Sequence, residues 1–258
     1  MAKTMVRLAD YQDRYETIRL ERRDGILLMQ LHTEGRDYVN SGPAHTELVD
    51  LFANVAADHE NRIIILTGTG DTFGDSIKNP WDSTDEDDTD PVARVHYEGR
   101  RIMQGILDVE APMIAAINGP LTKLPPFALT CDITICSENA TFSDVVHFTD
   151  AGIVPGDGVQ TVWMHLLGPN RGRYFLLMGQ ELSAQEALDL GVVNEVVPRE
   201  RLLPRAWEIA ERLNQRSHVT LRYSRLVLNQ RYRRQMLEDL PLGYGMQWLG
   251  IATAPALS

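Results

Sequence analysis

Three features of this 258-residue sequence predict an α/β fold with a mainly parallel sheet. Short apolar runs rich in β-branched residues, RIIILT at 62–67 and PMIAAI at 112–117, read as buried parallel strands. Segments with apolar residues at helical spacing lie between them, as crossovers between parallel strands demand. After a last short strand at 192–197, the pattern is predominantly helical through residue 229. This arrangement predicts an α/β core in residues 1–200 and a helical region in residues 201–258.

The chain opens with a hairpin. Residues 18–32, IRLERRDGILLMQLH, alternate apolar and polar side chains around Asp24-Gly25, a pair suited to a tight two-residue turn. Residues 38–40 end an extended stretch. Residues 44–59 then carry Leu48, Leu51, Phe52 and Val55 at helical spacing, with His45 in the first turn, facing either a cleft or water. The 62–67 strand runs into Gly68-Thr69-Gly70-Asp71-Thr72-Phe73-Gly74. Its last interval is one residue too long for the dinucleotide fingerprint and no helical pattern follows, so no nucleotide site is expected; the glycines instead let the backbone near Asp75 approach a ligand. Residues 79–91 hold six carboxylates and Trp81. They read as a solvated loop, with Trp81 able to close over an apolar ligand.

Residues 92–107 read as a helix with Val95, Ile102, Met103 and Ile106 inward. The 112–117 strand leads into Asn118-Gly119-Pro120. The pair Pro125-Pro126 forbids an ordinary helix interior there, which would leave the amides of Lys123 and Leu124 free to stabilise an oxyanion. Cys131 and Cys136 share the next predicted strand, LTCDITICS, too far apart for a disulfide and without the partners of a metal site. Helices follow at 159–167 and 171–178. Another at 183–191 has Ser183 as cap, Glu186 completing a capping box and Gly191 as terminator.

Between the strand and the helix at 159 lies FSDVVHFTDAGIVPGDGVQ, residues 142–160. A loop of roughly fifteen to twenty residues in a folded domain is usually functional or disordered, and Val145, Val146, Phe148, Ile153 and Val154 are too apolar for disorder. His147 and Asp157 stand ten residues apart in it, with glycines and Pro155 able to fold the backbone back. A carboxylate on one ring nitrogen fixes a histidine's tautomer and readies it to activate water. The same residues also fit a plainer account, in which Asp157 caps the following helix and His147 is a satisfied loop histidine.

Composition removes other classes. A net charge of −11 without an outweighing basic stripe argues against nucleic acid. No apolar run approaches the length needed to span a bilayer, and residues 1–16 lack the apolar core of a signal peptide, so no membrane partner and a cytoplasmic location are expected.

Five segments carry a resemblance: IILTGTGDTF (64–73), IAAINGP (114–120), CDITICSENATF (131–142), GIVPGDG (152–158) and GQELSAQEALDLGVVNEVV (179–197). In this order and spacing, the chain is identified as a member of the crotonase superfamily, the fold of enoyl-CoA hydratases. The resemblance implies a spiral of β and β-α units, with the helical carboxy-terminal region packing homotrimers or dimers of trimers. The two glutamates of enoyl-CoA hydratases are absent: Thr122 to Phe127 stand at the first site, and His147 with Phe148 at the second.

Within the superfamily, HTEG (32–35), AHTEL (44–48), HF followed by GIVPGDG, LGPNRGRYFLL (167–177) and LLPRAWE (202–208) resemble the 6-oxocamphor hydrolase type of β-diketone hydrolase. That resemblance makes His147 and Asp157 the catalytic dyad and adds His45. It also places a histidine where Thr122 stands and a glutamate where Gln247 stands, both near the site, and makes the segment between His147 and Gly152 one residue longer here. The expected function is retro-Claisen hydrolysis of a small-molecule β-diketone, without metal or organic cofactor. Asp157 orients His147, His147 activates water, and the Asp75 and Leu124 amides hold the oxyanion. Trp81, Phe127, Phe148 and Trp248 are candidates to line the pocket. Two rivals remain: a coenzyme A thioester hydrolase, hydratase or isomerase of the same fold, and a non-catalytic binding protein that uses the acidic residues 82–90.

Overall fold

The computed structural model describes residues 5–78, 83, 90–123 and 126–253. The predicted hairpin forms as β1 (Ile18–Arg23) and β2 (Ile26–Leu31), paired antiparallel around Asp24 and Gly25, both at positive φ. Helix α1 (Gly42–Ala57) is capped by the Ser41 hydroxyl and leads to β3 (Ile63–Gly68), which pairs parallel with β2. After α2 (Pro91–Asp108), β4 (Met113–Ile117) and β5 (Ile133–Ser137) extend the sheet in parallel. A two-stranded pair follows, β6 (Thr141–Phe142) with β7 (Leu182–Ser183); the long helix α3 (Val159–Met178) lies between them in sequence. Helix α4 (Ala184–Asp189) carries the predicted Ser183–Glu186 capping box, and β8 (Glu195–Val197) closes the sheet in the order β1-β2-β3-β4-β5-β8. Helices α5 (Arg199–Asn214) and α6 (His218–Thr253) complete the chain.

The inner strands β3 and β4 are buried on both faces, which is why they read as continuous apolar runs, whereas the edge strand β1 exposes alternate residues. Alternate residues face opposite sides. Ile64, Leu66, Met113, Ala115 and Ile117 join the larger core with α1, α2 and α3, whereas Ile63, Ile65, Ile114 and Ala116 pack on Leu202, Ala206 and Ala210 of α5.

Two expectations change. Cys131 lies ahead of β5 rather than within it, although both cysteines are free thiols as expected. The two helices expected around 159–178 run on as α3, with a kink where Gly168 takes positive φ ahead of Pro169. The loops at the carboxyl ends of β3 and β4 are tied by Asn118. Its amide nitrogen donates to the Gly70 and Thr72 carbonyls at 2.9 and 3.0 Å, and its oxygen accepts from the Gly68 amide at 3.1 Å. A side chain at Gly119 would lie 1.9 Å from the Asp71 carbonyl oxygen, so only glycine permits that approach. None of the helices among the described residues is long and apolar enough to cross a membrane.

Candidate active site

A cavity of about 300 Å3 opens between α1, α2, the 142–160 segment and the carboxy-terminal half of α6. Its wall is mostly apolar, with Leu48, Ile102, Met103, Phe127 and Ile251 among the contributors. The polar groups on it converge from separate parts of the chain: Asn40 ahead of α1, His45 from α1, Lys123 after β4, Asp144, His147 and Asp157 from the 142–160 segment, and Tyr244 and Gln247 from α6.

The segment expected to be a loop contains one turn of π-helix, Val146–Ala151, ended by Gly152 at positive φ with its amide bonded back to the His147 carbonyl. A turn this wide holds one more residue than an α-turn and often marks a functional site. His147 is only 3% exposed. Its Nδ1 lies 2.7 Å from Asp144 Oδ1, and its Nε2 lies 3.2 Å from Asp157 Oδ2. The imidazole is thus clamped between two carboxylates.

That clamp sets the charges. Burial alone would depress the imidazolium, but Asp157 and Asp144 outweigh it and push His147 up to about 10. Burial also raises Asp144, and the bond and charge of His147 offset this only in part. Asp157 goes the other way: the charge and hydrogen bond of His147 overcome its burial and hold it below the ordinary carboxylate range. Asp144 is the more enclosed of the two, and its Oδ2 is buried without a hydrogen-bond partner. Asp157 also meets the Val159 amide, but at a long 3.4 Å, so capping α3 is the lesser of its contacts.

His45 belongs to a second cluster on the same wall. Its Nδ1 lies 3.1 Å from Glu98 Oε2, and Glu98 also accepts from the Thr46 hydroxyl at 2.6 Å and from Arg94 at 3.0 Å. Burial raises Glu98, but these bonds and charges leave it below its ordinary range.

The structure therefore gathers His45, His147, Asp157, Gln247, Phe127 and Trp248 of the sequence candidates around one cavity. Others lie elsewhere. Phe148, one position past His147 on the wide turn, is 49% exposed and does not line the cavity. The Thr122 hydroxyl donates to the Asp75 carboxylate, and neither residue is in the wall. The Lys123 amide, expected to be free, donates to the Gly74 carbonyl at 2.9 Å. Leu124 and Trp81 lie outside the described residues, as does the acidic stretch apart from Ser83 and Asp90; Asp90 caps α2 by accepting from the Ala93 amide.

Sequence reasoning missed Asp144 and Glu98. Asp144 lies three residues before His147, a spacing that brings side chains together only if the chain turns helically there. Glu98 sits three residues after Val95 and four before Ile102, on the face of α2 that the sequence marks as inward. A carboxylate on that stripe was the available signal.

The enoyl-CoA hydratase/isomerase family model matches residues 21–248. A β-diketone hydrolase from the cyanobacterium Anabaena sp. PCC 7120, solved bound to (S)-3-oxocyclohexyl acetic acid, superposes with a TM-score of 0.87 at 39% identity, covering 92% of this chain and 95% of that one. An enoyl-CoA hydratase from Mycobacterium avium subsp. paratuberculosis shares the fold, with a TM-score of 0.80 at 22% identity over 93% of this chain and 91% of its own. Among sequence relatives, a carnitinyl-CoA dehydratase of Salmonella enteritidis is 33% identical over 202 residues, 77% of this chain and 74% of its own. A hydroxycinnamoyl-CoA hydratase-lyase of Pseudomonas fluorescens is 26% identical over 226 residues, 83% and 79%.

Proposed function

The chain belongs to the enoyl-CoA hydratase/isomerase family of the crotonase superfamily, and on that footing we propose that it is a hydrolase cleaving a carbon-carbon bond of a β-diketone. The observation that carries this reading is the Asp144–His147–Asp157 clamp on the wall of a small, largely apolar cavity. The likeness to the Anabaena β-diketone hydrolase supports it.

The roles follow from which atoms are free. The sequence reading gave the water to His147 and the orienting bond to Asp157. Here Asp144 supplies an orienting bond on Nδ1, and both ring nitrogens face carboxylates, so His147 rests as an imidazolium near neutral pH. The lone pairs open to a water in the cavity are then those of Asp157, the less enclosed carboxylate. Asp157 takes the water's proton while its oxygen bonds to one ketone carbon. His147, anchored by Asp144, steadies the pair through the step. The adduct collapses, the bond to the central carbon breaks, and its electron pair passes into the second ketone as an enolate. The proton returns to the central carbon, and diketone plus water becomes keto acid. The 1,3-dicarbonyl supplies the electron sink, so the scheme calls on no cofactor. His45, held by Glu98, is a second group in the cavity able to pass protons.

The test is ultraviolet loss of the enol band of cyclic and linear β-diketones without coenzyme A, in wild type, His147→Ala and Asp157→Asn. Turnover that falls by orders of magnitude in both variants is expected. The carnitinyl-CoA dehydratase and hydroxycinnamoyl-CoA hydratase-lyase relatives supply the second reading, an acyl-CoA enzyme. Turnover of acyl-CoA thioesters with flat diketone traces would favour it.

A further inference from the structure

Tyr244 lines the cavity with His147 and Asp157 and is 5% exposed. A buried tyrosine hydroxyl normally finds a partner; that of Tyr11 donates to Asp58 at 2.9 Å. The hydroxyl of Tyr244 has none among the described residues. Those of Tyr38 and Tyr232 also lack one, but neither of these residues reaches the cavity.

Two close backbone approaches fix where this phenol stands. A Cβ on Gly99, itself part of the cavity wall, would lie 1.8 Å from the Tyr244 oxygen, so the phenol end rests against bare backbone of α2. A Cβ on Gly156 would lie 2.1 Å from the Gly243 carbonyl oxygen. Gly156 directly precedes Asp157, and Gly243 directly precedes Tyr244. Backbone contact at these glycines therefore locks the two functional side chains into one wall. Burial and then the Asp157 charge push Tyr244 well above the ordinary phenol range, so it stays protonated and can only donate.

We propose that Tyr244 is a catalytic residue that donates a hydrogen bond to the carbonyl oxygen under attack, which rests on the β-diketone reading above. As the water oxygen bonds to the carbonyl carbon and its proton passes to Asp157, the carbonyl π pair moves onto the oxygen facing Tyr244. The phenol holds that charge without giving up its proton. When the adduct collapses, the pair returns to form the carboxylic carbonyl and the carbon-carbon pair leaves as the enolate. The assignment gives α6 the charge-holding task that the sequence assigned to the amides of Asp75 and Leu124.

Tyr244→Phe removes the hydroxyl and keeps the ring. With the fold checked by circular dichroism and melting, kcat on the best diketone should fall about 10²–10³-fold, the size typical of one oxyanion donor, with KM nearly unchanged. Infrared spectra of carbonyl-13C cyclohexanone bound to each protein read the same contact without turnover: the stretch should shift down in wild type and move back in Tyr244→Phe. Near-equal kcat in the two proteins, or an identical carbonyl band, would overturn the assignment. If wild type turns over no diketone, the hydrolase reading fails by itself, and the band then decides whether Tyr244 is a donor.

Discussion

Asp144 and Asp157 bracket one imidazole, and in the proposed reaction their difference in enclosure separates their tasks. The pH behaviour follows with a definite sign. In the proposed reaction Asp157 must be ionised to accept a proton, and it titrates below the ordinary carboxylate range, so the acid limb of kcat/KM should fall only in strongly acidic solution. The imidazolium persists until the solution approaches pH 10, so no loss is expected at the ordinary histidine value near 6.5. Removing the Asp144 charge takes away one of the two groups that raise His147. In Asp144→Asn the His147 titration, followed by 15N chemical shift of the ring, should therefore move down from about 10, and the alkaline limb of kcat/KM should move with it. A titration that stays in place would show that Asp144 does not hold the imidazole in solution.

At the scale of elements, the site depends on a junction between the 152–158 segment and α6. Gly156→Ala puts a methyl group into the Gly243 carbonyl, and backbone on both sides must shift. Overpacking of this kind costs about 1–3 kcal/mol. A lower melting temperature is expected, together with a drop in kcat larger than that loss of stability explains, because Asp157 and Tyr244 are displaced relative to each other. Unchanged activity in a destabilised Gly156→Ala protein would show that the junction serves stability alone. The wide turn at Val146–Ala151 is the second such element: it carries His147 with both carboxylate partners in reach.

At the scale of the whole molecule, α6 has two jobs. Its carboxy-terminal half walls the cavity, and its amino-terminal half is anchored by Arg225, which is 3% exposed and bonded to Asp132 at 2.7 Å. The outer face of that anchored half is apolar: Val219, Tyr223 and Val227 recur every four residues at 58, 60 and 74% exposure. We propose that this face packs copies of the chain into the trimer or dimer of trimers that the family resemblance implies. Light scattering should give three or six times the 29.1 kDa chain mass, and Val227→Asp should shift it toward a single chain. A wild-type mass of one chain would remove the proposal.

The sequence by itself determined the strands and crossover helices of the main sheet, the tight turn at Asp24-Gly25, the capped helix at Ser183 and the candidacy of His147 and Asp157, but not the β6–β7 pair. Each of these rests on local chemistry: side-chain periodicity, turn and cap preferences, or a histidine and a carboxylate in one apolar loop. Only the tertiary structure decided that Asp144 takes the second ring nitrogen, that Glu98 holds His45, that Phe148 faces outward and that Tyr244 reaches the same cavity from the far end of the chain. Those outcomes depend on where one wide turn aims a ring and on how closely glycine backbones let α6 approach α2 and the Asp157 segment. The glycine contacts join residues far apart in the chain, Gly156 with Gly243 and Gly99 with Tyr244, and no local pattern encodes them.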